Sequence, residues 1–126
     1  MEEHPNITLY RKAMDAASQG NPEGLANALA EDVVWHQIGA PPLTGKQAVI
    51  ESMSVMDGVD FEVEVHDILA NDEHLIGLVN AHVKVGDKEI SYRTAEIAHV
   101  IDGKVTERWA FSDNTQAIAE FFDSIA

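Results

Sequence analysis

The spacing of apolar residues changes once along this chain, from a helical period in the first part to a period of two after Val59. Ile7, Tyr10, Met14 and Ala17, with Ala13 beside them, fall on one face of a helix, and Gly20 supplies its stop. Asn21 followed by Pro22 reads as a cap and a first-turn proline, opening a short helix that buries Leu25, Ala28 and Leu29. Val33-Val34-Trp35-His36-Gln37 is a strand by its β-branched and aromatic content, ended by Gly39 and Pro41-Pro42. Thr44 with Gln47 three residues later has the spacing of a capping box. Val49, Met53 and Met56 mark the face of a third helix that Gly58 closes.

Beyond Val59, Phe61, Val63 and Val65 alternate with Glu62, Glu64 and His66, so one face of that strand is expected to be wet. Turns at Asn71-Asp72, Gly86-Asp87 and Asp102-Gly103 separate four consecutive antiparallel strands, and the last has the form of a two-residue hairpin. Ala117, Ile118, Phe121, Phe122 and Ile125 form the apolar stripe of a closing helix. Helices first and strands later predict an α+β architecture rather than alternating units. No linker or repeat interrupts the order, so residues 1–126 are expected to form one domain.

Charge and composition then remove several classes of function. Asp and Glu number 22 against 8 Lys and Arg, a net charge of −14 that repels phosphate backbones and anionic membrane surfaces, so neither nucleic acid nor membrane is an expected partner. The absence of cysteine excludes disulfides, thiolate metal sites and cysteine nucleophiles. Six histidines are present, at 4, 36, 66, 74, 82 and 99, without helical ligand spacing or an HExxH motif, and no metal site is expected. Neither nucleotide-binding glycine fingerprint occurs around Gly39 and Gly45. The first residues carry no basic region followed by an apolar run, and a cytoplasmic setting is the expectation.

Several short motifs fall in a characteristic order. Gly20-Asn21-Pro22 precedes Leu25 and Leu29, then come Glu31-Asp32-Val33-Val34-Trp35-His36 and Leu43-Thr44-Gly45. Asp102-Gly103-Lys104-Val105 is followed by Glu107, Trp109 and Asp113. Together they resemble the SnoaL-like branch of the nuclear-transport-factor-2-like superfamily. That resemblance implies a cone: a curved, mostly antiparallel sheet wrapped around N-terminal helices, with a central pocket and a C-terminal helix. The superfamily includes polyketide cyclases, ketosteroid isomerases, an epoxide hydrolase and dehydratases, so fold alone leaves the use of the pocket open.

In the cyclases of this group an aspartate at the end of the last long strand acts as general acid and base, with a histidine on the neighbouring strand. Asp113 and His99 resemble that pair, straddling the Asp102-Gly103 hairpin. In an apolar cavity such a carboxyl would have a raised pKa, suited to moving a proton near neutrality. A competing reading makes Asp113 the N-cap of the final helix, with Gln116 three residues on, and His99 a hydrogen-bonded structural residue.

Strand alternation adds candidate substrate contacts. Trp35 and Gln37 share a face, as do Asn80 and His82, and as do Arg93, Ala95, Ile97 and His99. By analogy with the isomerase, Asn80 and His82 point inward, and Ile97 follows His99; a solvated or dimer-facing surface is the alternative. Trp109 and Phe111 share the parity of Asp113 unless a bulge intervenes, and belong to core, interface or pocket. Tyr10 fits the buried stripe of the first helix, with a hydroxyl able to reach a pocket.

The steroid isomerase machinery is not matched. Gln37 stands where its base would be, Ala13 where its tyrosine would be, and Ile97 near its neutral acid, with Glu96 adjacent but opposite in parity. The hydrolase's Asp-Arg-Asp set is not evident around Arg93 or Arg108. Two functions stay open: a cofactor-independent acid–base enzyme acting on a carbonyl or polyketide-like compound, and a catalytically silent ligand-binding or dimerisation module. The resemblance also implies a homodimer through the outer face of the sheet.

Overall fold

A computed structural model describes residues 3–54 and 59–125. Met56, Gly58 and the side chain of Met53, assigned above to the third helix, lie outside the described residues. The chain opens with α1 (Pro5–Ser18), whose Pro5 occupies the first turn and whose capping His4 accepts the Asn6 N–H through Nδ1 at 3.1 Å. Gly20, at φ +67°, ends this helical segment, and the Asn21 side chain caps α2 (Pro22–Ala26) by accepting from Gly24 N–H at 3.2 Å. That helix is shorter than the apolar pattern predicts. Leu29 belongs instead to β1 (Leu29–Trp35), where it pairs with Val105 and is almost fully buried.

The first strand stops at Trp35 rather than Gln37, and its partner β2 (Leu43–Thr44) was not expected. Thr44 is therefore a strand residue. Gln47 of α3 (Lys46–Ser54) reaches forward to Glu51 at 3.3 Å and does not form the expected capping box. The four-strand meander appears as read: β3 (Asp60–Ala70), β4 (His74–Val85), β5 (Lys88–Ile101) and β6 (Lys104–Ser112). Asp102 and Gly103, at φ +51° and +74°, supply the two left-handed positions of the tight hairpin between β5 and β6. The final helix, α4 (Thr115–Ile125), buries Ile118.

The six strands of the described residues form one sheet in the order β2-β1-β6-β5-β4-β3, antiparallel except for the β1–β6 pair. This is the α+β arrangement of a curved sheet with N-terminal helices on one face and a C-terminal helix. The core lies between the helices and the inner face of the sheet, where Tyr10, Leu29, Val33, Leu75, Ala98 and Val105 cluster. Asn6 fixes the position of α1 over that face: its buried amide donates to Asn71 O, in the β3–β4 turn, at 2.9 Å. Among the described residues, no helix is long and apolar enough to cross a membrane.

Candidate functional site

Alternation along β5 decides which side chains meet the interior. Thr94, Ala98 and Val100 are buried and Glu96 lies on the same face, whereas Arg93, Ala95, Ile97 and His99 point to the other side. On β6 an extra residue at Thr106 shifts the register between the His99–Glu107 and Val100–Val105 pairs. Val105 and Arg108, an odd number of positions apart, consequently both face inward.

A cavity of about 50 Å³ results. Its walls are mainly apolar, with Leu9, Ala13, Met14, Leu25, Leu75 and Ala98 among them, and Tyr10, Trp35, Glu96 and Arg108 bring the polar groups. The Tyr10 hydroxyl donates to Glu96 Oε2 at 2.6 Å. Arg108 Nη2 donates to Glu96 Oε1 at 2.7 Å, while Nη1 donates to His36 O at 3.0 Å. The guanidinium carbon lies 4.4 Å from the Trp35 ring centre, a cation–π contact. Both members of the ion pair are largely shielded, at 14% exposure for Arg108 and 18% for Glu96. Arg108 Nε is buried with no protein partner.

This environment acts on the neighbouring phenols. Burial, followed by the Glu96 charge, pushes the Tyr10 hydroxyl far above the ordinary tyrosine range. The same two causes push Tyr92 up to about 12. A buried hydroxyl, a carboxylate and a guanidinium on the wall of an apolar cavity can hold and polarise a small oxygen-bearing molecule, or pass a proton to or from it.

Of the residues singled out in the sequence, Tyr10 and Trp35 reach this cavity. Gln37 does not: it lies beyond β1 and donates to Pro41 O at 2.7 Å. His99, Trp109 and Ile97 sit on the outer face, because the buried parity of β5 belongs to the even-numbered residues from Thr94 to Val100. There His99 meets His74 and Trp109 edge-on at 4.6 and 4.9 Å. Trp109 stacks on His36 at 5.4 Å, and His36 Nε2 lies 2.8 Å from Glu107 Oε2.

Asn80, His82 and Asp113 line a separate, open groove of about 510 Å³ with Glu62, Glu64 and Arg93. Asn80 donates to Glu64 at 3.2 Å, and His82 Nδ1 lies 2.6 Å from Ser91 Oγ. Asp113 accepts from the Arg93 backbone N–H at 3.1 Å and from Arg93 Nε at 3.2 Å. Those bonds, the backbone one first, hold its carboxyl below the usual carboxylate range, opposite to the raised value expected of an acid in an apolar pocket. Nor is it the cap of α4: Asn114 Oδ1 accepts the Ala117 N–H at 3.2 Å. Sequence parity passed over Glu96 and Arg108. The available signal was the even-numbered run Thr94, Glu96, Ala98 and Val100, in which one acid interrupts three small or apolar residues.

Solved structures share this architecture at low sequence identity, which speaks for the fold alone. An epoxide hydrolase of the LEH-like type from M. tuberculosis superposes with a TM-score of 0.80 at 19% identity, over 96% of this chain and 92% of that one. TerC, co-crystallised with polyporic acid, gives 0.81 at 17% identity over 94% and 98%. A candidate SnoaL-like polyketide cyclase from Shewanella denitrificans gives 0.79 at 15% identity over 97% and 99%. No curated protein matches the chain significantly. The SnoaL-like domain model matches residues 10–108, most of the chain, and the protein therefore belongs to the SnoaL-like family.

Proposed function

We propose that the protein binds a small, mostly apolar organic molecule in the interior cavity, with Glu96, Tyr10 and Arg108 as its acid–base element. The observation that carries this reading is the Tyr10–Glu96–Arg108 network on an otherwise apolar wall. A carbonyl compound suits it best. The Glu96 carboxylate takes a proton from the carbon beside the carbonyl and returns it at another position, while the Tyr10 O–H or an Arg108 N–H meets the oxygen on which charge develops. Isomerisation is that exchange alone; in an aldol-type ring closure the enolate carbon instead attacks a second carbonyl carbon of the same molecule, the π bond of that carbonyl breaks, and the proton held by Glu96 goes to the resulting alkoxide oxygen.

This assignment moves the proton-handling role away from the His99–Asp113 pair, which faces other surroundings. A catalytically silent binding module is the second reading, favoured by one specific feature: both Glu96 oxygens are already engaged within the network. Hydrogen–deuterium exchange beside the carbonyl of small cyclic ketones, followed by NMR in D₂O, separates the two. The enzyme reading expects exchange that Glu96→Gln abolishes and that His99→Ala and Asp113→Asn leave intact. Ketone binding without exchange supports the module, and exchange that disappears in Asp113→Asn contradicts the assignment to Glu96.

We also propose that two copies pair through the outer face, where the Trp109–His99–His36 stack adjoins Phe111, 60% exposed. Sedimentation of the wild type beside Phe111→Glu tests this: a dimer that becomes a monomer is expected, and a wild type that is already monomeric overturns it.

A further inference from the structure

We infer that Gly77 is the positioning residue of the interior site: the missing side chain on β4 is what lets the Tyr10 hydroxyl lie against the sheet and reach Glu96. Gly77 is the direct cross-strand partner of Glu96 and occupies an inward position between Leu75 and Val79. A glycine weakens a strand interior, so its presence in a run of buried branched residues calls for a close approach by another group. That group is Tyr10. A Cβ built at Gly77 would fall 2.3 Å from the Tyr10 hydroxyl oxygen, 2.4 Å from Cζ and 2.8 Å from Cε1. The nearest atoms belong to the hydroxyl end of the ring, and the ring cannot retreat while its oxygen stays 2.6 Å from Glu96. α1 is also held from its other end, where Asn6 is tied to the β3–β4 turn. Any side chain at 77 therefore displaces the hydroxyl from the carboxylate.

The inference rests on Tyr10 and Glu96 being the site, but its test requires no ligand, so it can fail without touching the binding proposal. The chain has two tyrosines, and Tyr92→Phe leaves Tyr10 as the sole phenol reporter. In that background a slowly exchanging, downfield hydroxyl proton from Tyr10 is expected by NMR. Gly77→Ala should abolish it and bring phenol ionisation, read by ultraviolet absorbance, down toward the ordinary tyrosine range. A folded Gly77→Ala protein that keeps the hydroxyl signal would overturn the inference. Should the alanine variant fold poorly, Tyr10→Ala supplies the second arm. Most of the melting-temperature loss caused by Gly77→Ala should disappear in the Tyr10→Ala background, and an undiminished loss there overturns the assignment equally.

Discussion

The two faces of β5 are made from one run of sequence and solve opposite problems. Inward, Glu96 sits among Thr94, Ala98 and Val100 and depends on Tyr10 and Arg108 for its hydrogen bonds. Outward, Arg93 and His99 share a surface with Asp113, Trp109 and His74, where solvent completes what the side chains leave unmet. Polarity is thus readily tolerated on one face and demands partners on the other, where Arg108 Nε alone of the network's described polar atoms lacks one. The contrast supports the proposed site: a charged network retained on the face that penalises it is the better candidate for chemistry than a richer set of titratable groups on the wet one.

The sharpest way to break this comparison is to unpair the inner charge. Arg108→Leu leaves Glu96 without its counter-ion and should cost about 3 kcal/mol in chemical denaturation, the lower end for a broken buried pair because some exposure remains. His99→Ala loses two edge-on ring contacts and should cost only about 1 kcal/mol. Equal costs would erase the distinction between the faces. Tyr10→Phe keeps the ring and removes the donor to Glu96; a loss of roughly 2 kcal/mol is expected by the same measurement.

Alkaline pH provides a gentler probe. Both tyrosines have folded pKa values above the ordinary 10.0, so the folded chain retains protons that the unfolded chain releases. Their stabilisation is complete below pH 10 and is lost as pH rises beyond it, through about 12 for Tyr92. Melting temperatures measured from pH 9 to 12 should fall, and Tyr92→Phe should flatten the slope.

Asp113→Asn is expected to have the smallest effect. A lowered carboxyl pKa contributes stability above the ordinary carboxylate value that is lost as pH falls through the folded one. The group is exposed to solvent, so the difference from wild type should be slight at neutral pH, shrink with added salt and vanish in acid.

Much of the fold was legible because it is written in local signals: Gly20 and Asn21 at the helix boundary, the Asp102-Gly103 hairpin, and the four alternating strands all appear where the pattern puts them. Tertiary pairing overrode local preference at Leu29, drawn into β1 by Val105, and at Thr44, drawn into β2 by Val34. The site was harder to read. Alternation correctly grouped Arg93, Ile97 and His99, but it cannot say which of two faces is buried. The Thr106 bulge then placed Arg108 inward against simple parity with Val105, and the contact between Tyr10 and Glu96 joins residues 86 positions apart.

Methyl-resolved NMR of the protein titrated with a small cyclic ketone tests the central claim most directly. Shift changes centred on Leu9, Met14 and Leu75, absent or much weakened in Glu96→Gln, are what the interior site predicts. Changes confined to the neighbourhood of His99, Trp109 or Asp113, with the interior methyls unmoved, would contradict it.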